Sequence, residues 1–506
     1  MGDRSTVCTF THMKHPPYVL ALDAGTSSSR VLLFDANGQA LATAQREFTQ
    51  YFPREGWVEH DPEEIWNTQL EALKAVITGV NPNELAAVGI TNQRETTVVW
   101  ERSTGKPVHP AIVWQDKRTA PDCAELASHH SQVFRQRTGL LLDPYFSGTK
   151  LAWILRQQPD YLARAQRGEL LFGTIDTWLI WKLTGGAVHA TDASNASRTL
   201  MFDIHRSEWD PELLGILGIP EVMLPEVCDS SAVIGHTLAE FTGRSIPIAG
   251  VAGDQQAALF GQLCIEPGAV KNTYGTGCFC MMNTGAEAHV STHRLLTTVA
   301  WRRSGTTTFA LEGGVFVAGA LIQWIRDQLG LIQSAAEIEE LALSVPNNGG
   351  VTIIPALAGL GAPYWRPDAT GAIMGITRGT QAGHIARAAL EAIALSSAEL
   401  IEAMQVDSQT KIPLLKVDGG ASRNNLLMQL QADLLDTPVV RPMQTETTAM
   451  GAAFLAGLAT GVWSSTGELQ HLLRDDRVFH PRSPELSDRA QIWQQWDQNM
   501  KRILHS

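Results

Sequence analysis

At 506 residues, 44% of them hydrophobic and 18% charged, the chain exceeds what one hydrophobic core usually supports and calls for two domains, or three. That balance excludes a disordered or fibrous class. The formal charge of −13, with no basic run to offset it, argues against a nucleic-acid partner.

Residues 1–16 are polar and unpatterned and predict a loose tail. They hold no apolar stretch of the signal-peptide kind, and no apolar run in the chain reaches the roughly 18 residues of a membrane span, so a cytoplasmic protein is expected. YVLALDAG (18–25) then reads as a strand, followed by a Gly-Thr-Ser turn and a second strand, RVLLFD (30–35). Asn37-Gly38 is a hairpin signal before a third strand at 41–48, so the first domain opens on an antiparallel meander. Asp61, Pro62, Glu63 and Glu64 mark a helix start, and AAVGIT (86–91) is a further strand. IPIAGVAGDQQAALFGQL (246–263) runs from strand into helix. AVKNTYGTGCFCMMNTG (269–285) then repeats the opening: strand, Gly-Thr-Gly turn, strand, half a chain after the first. A duplicated α/β unit divided near residue 260 is expected, as 17–260 and 261–506. Helical patterns occupy 383–405 and 447–460, and no pattern is assigned after about 460. The six cysteines (Cys8, Cys123, Cys228, Cys264, Cys278, Cys280) form no C-x-x-C pair and read as buried thiols, with Cys278 and Cys280 expected to face opposite ways on a strand.

Three segments carry chemistry. Asp23-Ala24-Gly25-Thr26-Ser27-Ser28-Ser29-Arg30 places backbone N–H groups and hydroxyls in a small-residue turn, a donor set suited to phosphate oxygens. Asp23 can hold Mg²⁺ and Arg30 can meet phosphate charge; the plain alternative is an ordinary glycine turn. Tyr274-Gly275-Thr276-Gly277 repeats this in the other half. Val417-Asp418-Gly419-Gly420-Ala421-Ser422-Arg423-Asn424 is a strand–turn–helix where glycines admit a flat base and Asn424 can hydrogen-bond it. Such corners are also common in structures that bind nothing. The only Gly-Lys, Gly105-Lys106, precedes Pro107, which excludes a P-loop.

Longer motifs resemble a known family. Tyr145-Phe146-Ser147-Gly148-Thr149-Lys150 and Gly371-Ala372-Ile373-Met374-Gly375, with His384 and Ala388-Ala389-Leu390-Glu391, are similar to signatures of the FGGY sugar and polyol kinases. Thr91-Asn92-Gln93-Arg94-Glu95-Thr96, Val113-Trp114-Gln115, Gly253-Asp254-Gln255-Gln256 and Gly359-Leu360-Gly361-Ala362-Pro363-Tyr364-Trp365 resemble the glycerol kinases within it. They follow in order over roughly 18 to 460. The resemblance implies a two-domain actin/hexokinase-like ATPase fold of duplicated ribonuclease H-like α/β domains, with the active site in the interdomain cleft. It further implies ATP and Mg²⁺, and transfer of phosphate to glycerol, by a homodimer or homotetramer.

By that resemblance Asp254 is the general base. Arg94, Glu95, Trp114, Tyr145, Gln255 and Phe279 join it around the polyol. Thr26, Ser27, Ser28, Arg30, Thr276, Gly277, Gly319, Gln323, Gly420 and Asn424 take ATP, and Asp23 the metal. Each has a plain alternative: a helix cap for Asp254, core packing for Trp114 and Phe279, an exposed ion pair for Arg94 and Glu95. Adjacent strand residues face opposite ways, so Arg94 and Glu95 share a ligand only on irregular backbone. Ala24 stands where many members carry Gln, and 240–246 lacks the longer Gly- and Arg-containing loop that binds fructose 1,6-bisphosphate in some, so that regulation is not expected. Rival readings are a kinase for a tetritol or pentulose, and a nucleotide-binding sensor without turnover.

Overall fold

The computed structural model describes residues 15–366, 368–483 and 488–505; most of the expected tail lies outside them. The opening meander forms as expected. β1 (Tyr18–Ala24), β2 (Ser28–Phe34) and β3 (Ala40–Glu47) pair antiparallel in sequence. Every residue of β1 is buried, because its other edge pairs in parallel with β4 (Leu85–Asn92) and both faces are covered. Between β3 and β4, α1 (Pro62–Ile77) starts where Asp61 accepts the Glu63 N–H at 2.9 Å, with Pro62 in the first turn. β5 (Ser231–His236) and β6 (Pro247–Gly253) complete a six-stranded sheet ordered β5-β6-β4-β1-β2-β3.

A second, seven-stranded sheet follows. It comprises β7 (Val270–Tyr274), β8 (Cys278–Gly285), β9 (Leu296–Arg303), β10 (Thr306–Val315), β11 (Leu415–Asp418), β12 (Val439–Pro442) and β13 (Asp475–Phe479), ordered β9-β10-β8-β7-β11-β12-β13. From each opening strand outward the pairing is the same: antiparallel to its hairpin partner, parallel to two crossover strands, then antiparallel at the edge. The duplication inferred from two Gly/Thr turns is thus a duplication of sheet topology.

Among the helices, α2 (Asp254–Gly261), α3 (Gly319–Asp327), α4 (Ala382–Ser408), α5 (Asn425–Leu435), α6 (Thr447–Thr460) and α7 (Arg489–Leu504) matter here. α6 lies against β4 and β6 of the first sheet and crosses α2, although its sequence belongs to the second half. A Cβ on Gly451 would stand 1.8 Å from the Ala257 carbonyl oxygen, so only glycine permits this crossing. A core shared by the halves results, with Val19, Ala21 and Ala249 meeting Ala449 and Phe454.

Two expectations are corrected. Cys278 and Cys280 enter the same core rather than facing opposite ways, because the strand period of two returns i and i+2 to one face. The region after 460 is not patternless: β13 extends the second sheet, and α7 buries Ile492, Trp496 and Met500 on one helical face.

Candidate active site

β1 carries Asp23 to its end, directly opposite Arg30 on β2, whose Nη2 donates to Asp23 Oδ2 at 2.7 Å. Arg30 Nη1 also pairs with Glu446 at the entry to α6, tying the first meander to the second half. In the turn between the strands, Gly25 N–H donates to the Ser28 carbonyl at 3.0 Å, Ser27 is exposed, and Ser28 Oγ accepts from Gln45 at 2.9 Å.

After β4 the backbone leaves strand geometry. Glu95 has φ +62°, the Thr96 N–H donates to the Arg94 carbonyl at 2.7 Å, and Ser147 Oγ donates to the Glu95 carbonyl at 2.9 Å. This is the irregularity that the adjacent pair requires: Arg94 and Glu95 are both buried, 3.7 Å apart. Arg94 makes a fork–fork pair with Glu312, Nη1 to Oε2 at 2.6 Å and Nη2 to Oε1 at 2.9 Å. Its Nη2 also donates to Tyr145 Oη at 3.2 Å. Tyr145 meets Trp114 edge to face at 5.6 Å, and Trp114 Nε1 donates to Thr26 Oγ1 at 3.1 Å. One network therefore joins the turn after β1 to Arg94, Tyr145 and Trp114.

Asp254 begins α2 at the carboxyl end of β6, where open α/β sheets place ligands. Gly253 holds the cap position; the Asp254 carboxylate accepts the adjacent Gln255 N–H at 2.7 Å and faces Arg94 Nε at 3.1 Å. Its side chain is 34% exposed, against 1% for Glu95 and 3% for Glu312, which makes it the accessible carboxylate of the cluster. Burial raises its pKa above the usual aspartate value, although Arg94, the Gln255 N–H and Lys271 pull the other way. Burial also pushes Glu312 up, but Arg198 and Arg94 outweigh it and bring that carboxyl down to about 2. Lys271 joins Gln255 to Phe279: its Nζ donates to Gln255 Oε1 and to the Phe279 carbonyl, the latter at 3.4 Å.

In the second half, the Gly275–Gly277 turn is fastened to the start of α3. Thr276 O accepts from Ala318 and Ala320 N–H at 2.9 and 3.0 Å, and Gly319 N–H donates to Gly275 O at 3.0 Å. Thr276 and Gln323 are exposed. A Cβ on Gly277 would stand 2.4 Å from the Val315 carbonyl, so packing alone demands that glycine; a Cβ on Gly420 would meet nothing. Asn424 caps α5 with Oδ1, accepting from Leu427 N–H at 2.8 Å, which leaves its Nδ2 facing no described partner.

Sequence reasoning missed Arg198, Glu312, Lys271 and Glu446. Two had a signal: Glu312 and Lys271 are each the lone charge of their strand. A groove of about 970 Å³ beside Tyr51, Phe52 and Pro107 contains none of these residues, so concavity does not locate the chemistry.

The FGGY family of carbohydrate kinases matches twice, its N-terminal domain over residues 18–261 and its C-terminal domain over 270–460. A glycerol kinase of Dechloromonas aromatica is 57% identical over 491 residues, covering 96% of this chain and 98% of that one. The chain belongs to the FGGY family, among its glycerol kinases. A glycerol kinase of Trichlorobacter lovleyi is 58% identical over 488 residues, covering 96% and 98%. The structure of Plasmodium falciparum glycerol kinase with ADP superposes at TM-score 0.92 with 33% identity, covering 98% of this chain and 99% of that one. The two sheets and their helices are thus the two-domain α/β fold of these kinases. Among the described residues no helix is long and apolar enough to cross a membrane.

Proposed function

We propose that this chain transfers the γ-phosphoryl group of ATP to a terminal hydroxyl of glycerol, giving sn-glycerol 3-phosphate and ADP, in the cleft between its halves. The observation that carries the chemistry is Asp254: the most exposed carboxylate of its cluster, held at 3.1 Å from Arg94. As the hydroxyl oxygen bonds to the γ-phosphorus and the bond to ADP breaks, Asp254 takes the hydroxyl proton; burial makes it a stronger base than a surface aspartate. Arg94, Glu95, Tyr145 and Gln255 supply polar contacts to the polyol, and Trp114 and Phe279 ring faces for its CH groups. Phosphoryl transfer asks for positioning and charge neutralisation rather than a nucleophilic side chain.

ATP is assigned to Thr26, Ser27, Ser28 and Arg30 on one side and Thr276, Gly277, Gly319, Gln323, Gly420 and Asn424 on the other; the relative solved with ADP supports nucleotide use. Mg²⁺ takes oxygen ligands and is usually shared between one or two carboxylates and substrate phosphates. Asp23, at the end of β1 beside the phosphate turn, fits that role; among the described residues no three His, Cys, Asp or Glu side chains converge to form a cage. Mg²⁺ there would offset phosphate charge, while Arg30 would retain Glu446 as its partner. The family resemblance extends the proposal to a cytoplasmic homodimer or homotetramer, divided near residue 260. ³¹P NMR of a mixture with ATP, Mg²⁺ and glycerol tests it: a primary phosphate monoester growing with ADP is expected, and ADP with inorganic phosphate alone would contradict it.

A further inference from the structure

We infer that Glu312 is a positioning residue of the polyol site, supplied by the second half to orient Arg94 and, through Arg198, Glu95. The inference rests on the function proposed above. A guanidinium has five N–H donors in a rigid fork. In Arg94, Nη1 donates to Glu312 Oε2 at 2.6 Å and Gln256 Oε1 at 3.2 Å, and Nη2 to Glu312 Oε1 at 2.9 Å and Tyr145 Oη at 3.2 Å. Nε faces Asp254 at 3.1 Å. The forked end is therefore spent on Glu312, not on substrate. The edge that a polyol beside Asp254 would meet is the one carrying Nε and the Nη2 N–H that donates to Tyr145. Glu312 decides which edge of Arg94 the substrate meets.

The same carboxylate reaches a second arginine. Arg198 is fully buried; its Nε donates to Glu95 Oε1 at 2.7 Å and its Nη2 to Glu312 Oε1 at 3.1 Å. Arg94, Glu312, Arg198 and Glu95 thereby close a ring of alternating charge, whose last side is the 3.7 Å between Arg94 and Glu95. Three members come from the first half: Arg94 and Glu95 follow β4, and Arg198 follows the short helix Ala193–Ala196. Glu312 alone stands on β10 of the second sheet. The polyol groups keep their orientation only while the halves hold the relation that also faces them toward the nucleotide turns. A buried ion ring is a poor device for stability alone, since well-packed apolar residues often do as well; orientation accounts for it.

Two variants test this. Glu312→Asp keeps the charge but is one methylene too short to serve both arginines, and Glu312→Gln keeps the length without the charge. Relative to wild type, KM for glycerol should rise about 10-fold in Glu312→Asp and about 100-fold in Glu312→Gln, with KM for ATP within about 2-fold in both. Glycerol at a concentration saturating for wild type should no longer raise the melting temperature of Glu312→Gln, while ADP still does. Should Glu312→Gln not fold, Glu312→Asp decides. A folded Glu312→Asp with unchanged KM for glycerol, or with both KM values rising together, would overturn the assignment. Absence of glycerol-dependent ADP release in wild type would instead overturn the proposed function.

Discussion

The two sides proposed for polyol and for nucleotide are built on opposite plans. On the polyol side, Arg94, Glu95, Arg198 and Glu312 are almost wholly buried and hold one another in a closed ring. On the nucleotide side, Thr276 and Gln323 are exposed and Gly420 faces open space. The contrast follows from the ligands proposed for them. Glycerol is small and neutral and offers few contacts, so the groups that meet it must be oriented beforehand, when ordering them on binding would cost too much. ATP brings its own charge and many contacts and must leave as ADP, which suits turns of backbone donors and small residues. Asp254 stands where the plans meet, tied to the ring by Arg94 yet a third exposed.

The largest effect that would sharpen this contrast is expected at Asp254. Asp254→Asn should lower kcat about 10²–10⁴-fold while glycerol still raises the melting temperature. Since its pKa is raised, the base form is lost on acidification at a pH above an ordinary aspartate's; the acid limb of kcat/KM in wild type should lie there and vanish in the variant. Next comes the ring. Glu312→Gln should lower stability by about 3–5 kcal/mol, read from denaturant midpoints, because two buried arginines lose their shared partner. The Glu312 carboxyl titrates at about 2 rather than its ordinary 4.5, so this stability is present above pH 4.5 and fades as pH falls toward 2; the gap between variant and wild type should close over that range. Smaller effects separate the two glycines. Gly277→Ala, with a Cβ 2.4 Å from the Val315 carbonyl, should cost about 1–3 kcal/mol. Gly420→Ala should change stability by less than about 0.5 kcal/mol while raising KM for ATP several-fold. A destabilised Gly420→Ala with an unaltered KM would break the claim that the nucleotide side is open by design.

Much of the fold was legible in residue order, because its signals are local. The Asp61–Pro62 helix start, the meander with its Gly-Thr-Ser turn, and the repeat of that turn in the second half all state themselves within a few residues. The face formed by Ile492, Trp496 and Met500 was equally local but diluted by glutamines and charges, and was missed. The site divides along the same line. Asp254 at a strand–helix junction and the adjacent pair Arg94-Glu95 could be singled out, and the irregular backbone they require could be inferred. The ring could not, because Arg198 lies 103 residues from Glu95 and Glu312 lies 218 from Arg94. No spacing rule joins charges that distant; only the two folded sheets bring them together. For Gly277 the reason is likewise tertiary, since it is a neighbouring carbonyl that demands glycine there.

The central claim, that this cleft phosphorylates glycerol, is tested most directly by ADP release from ATP and Mg²⁺ with glycerol, a tetritol, a pentulose or no acceptor. The account predicts strong turnover with glycerol, little with the longer acceptors and near silence without one. Turnover with a longer acceptor but not glycerol would contradict the polyol assignment, and silence with every acceptor despite ATP binding would make the protein a nucleotide sensor.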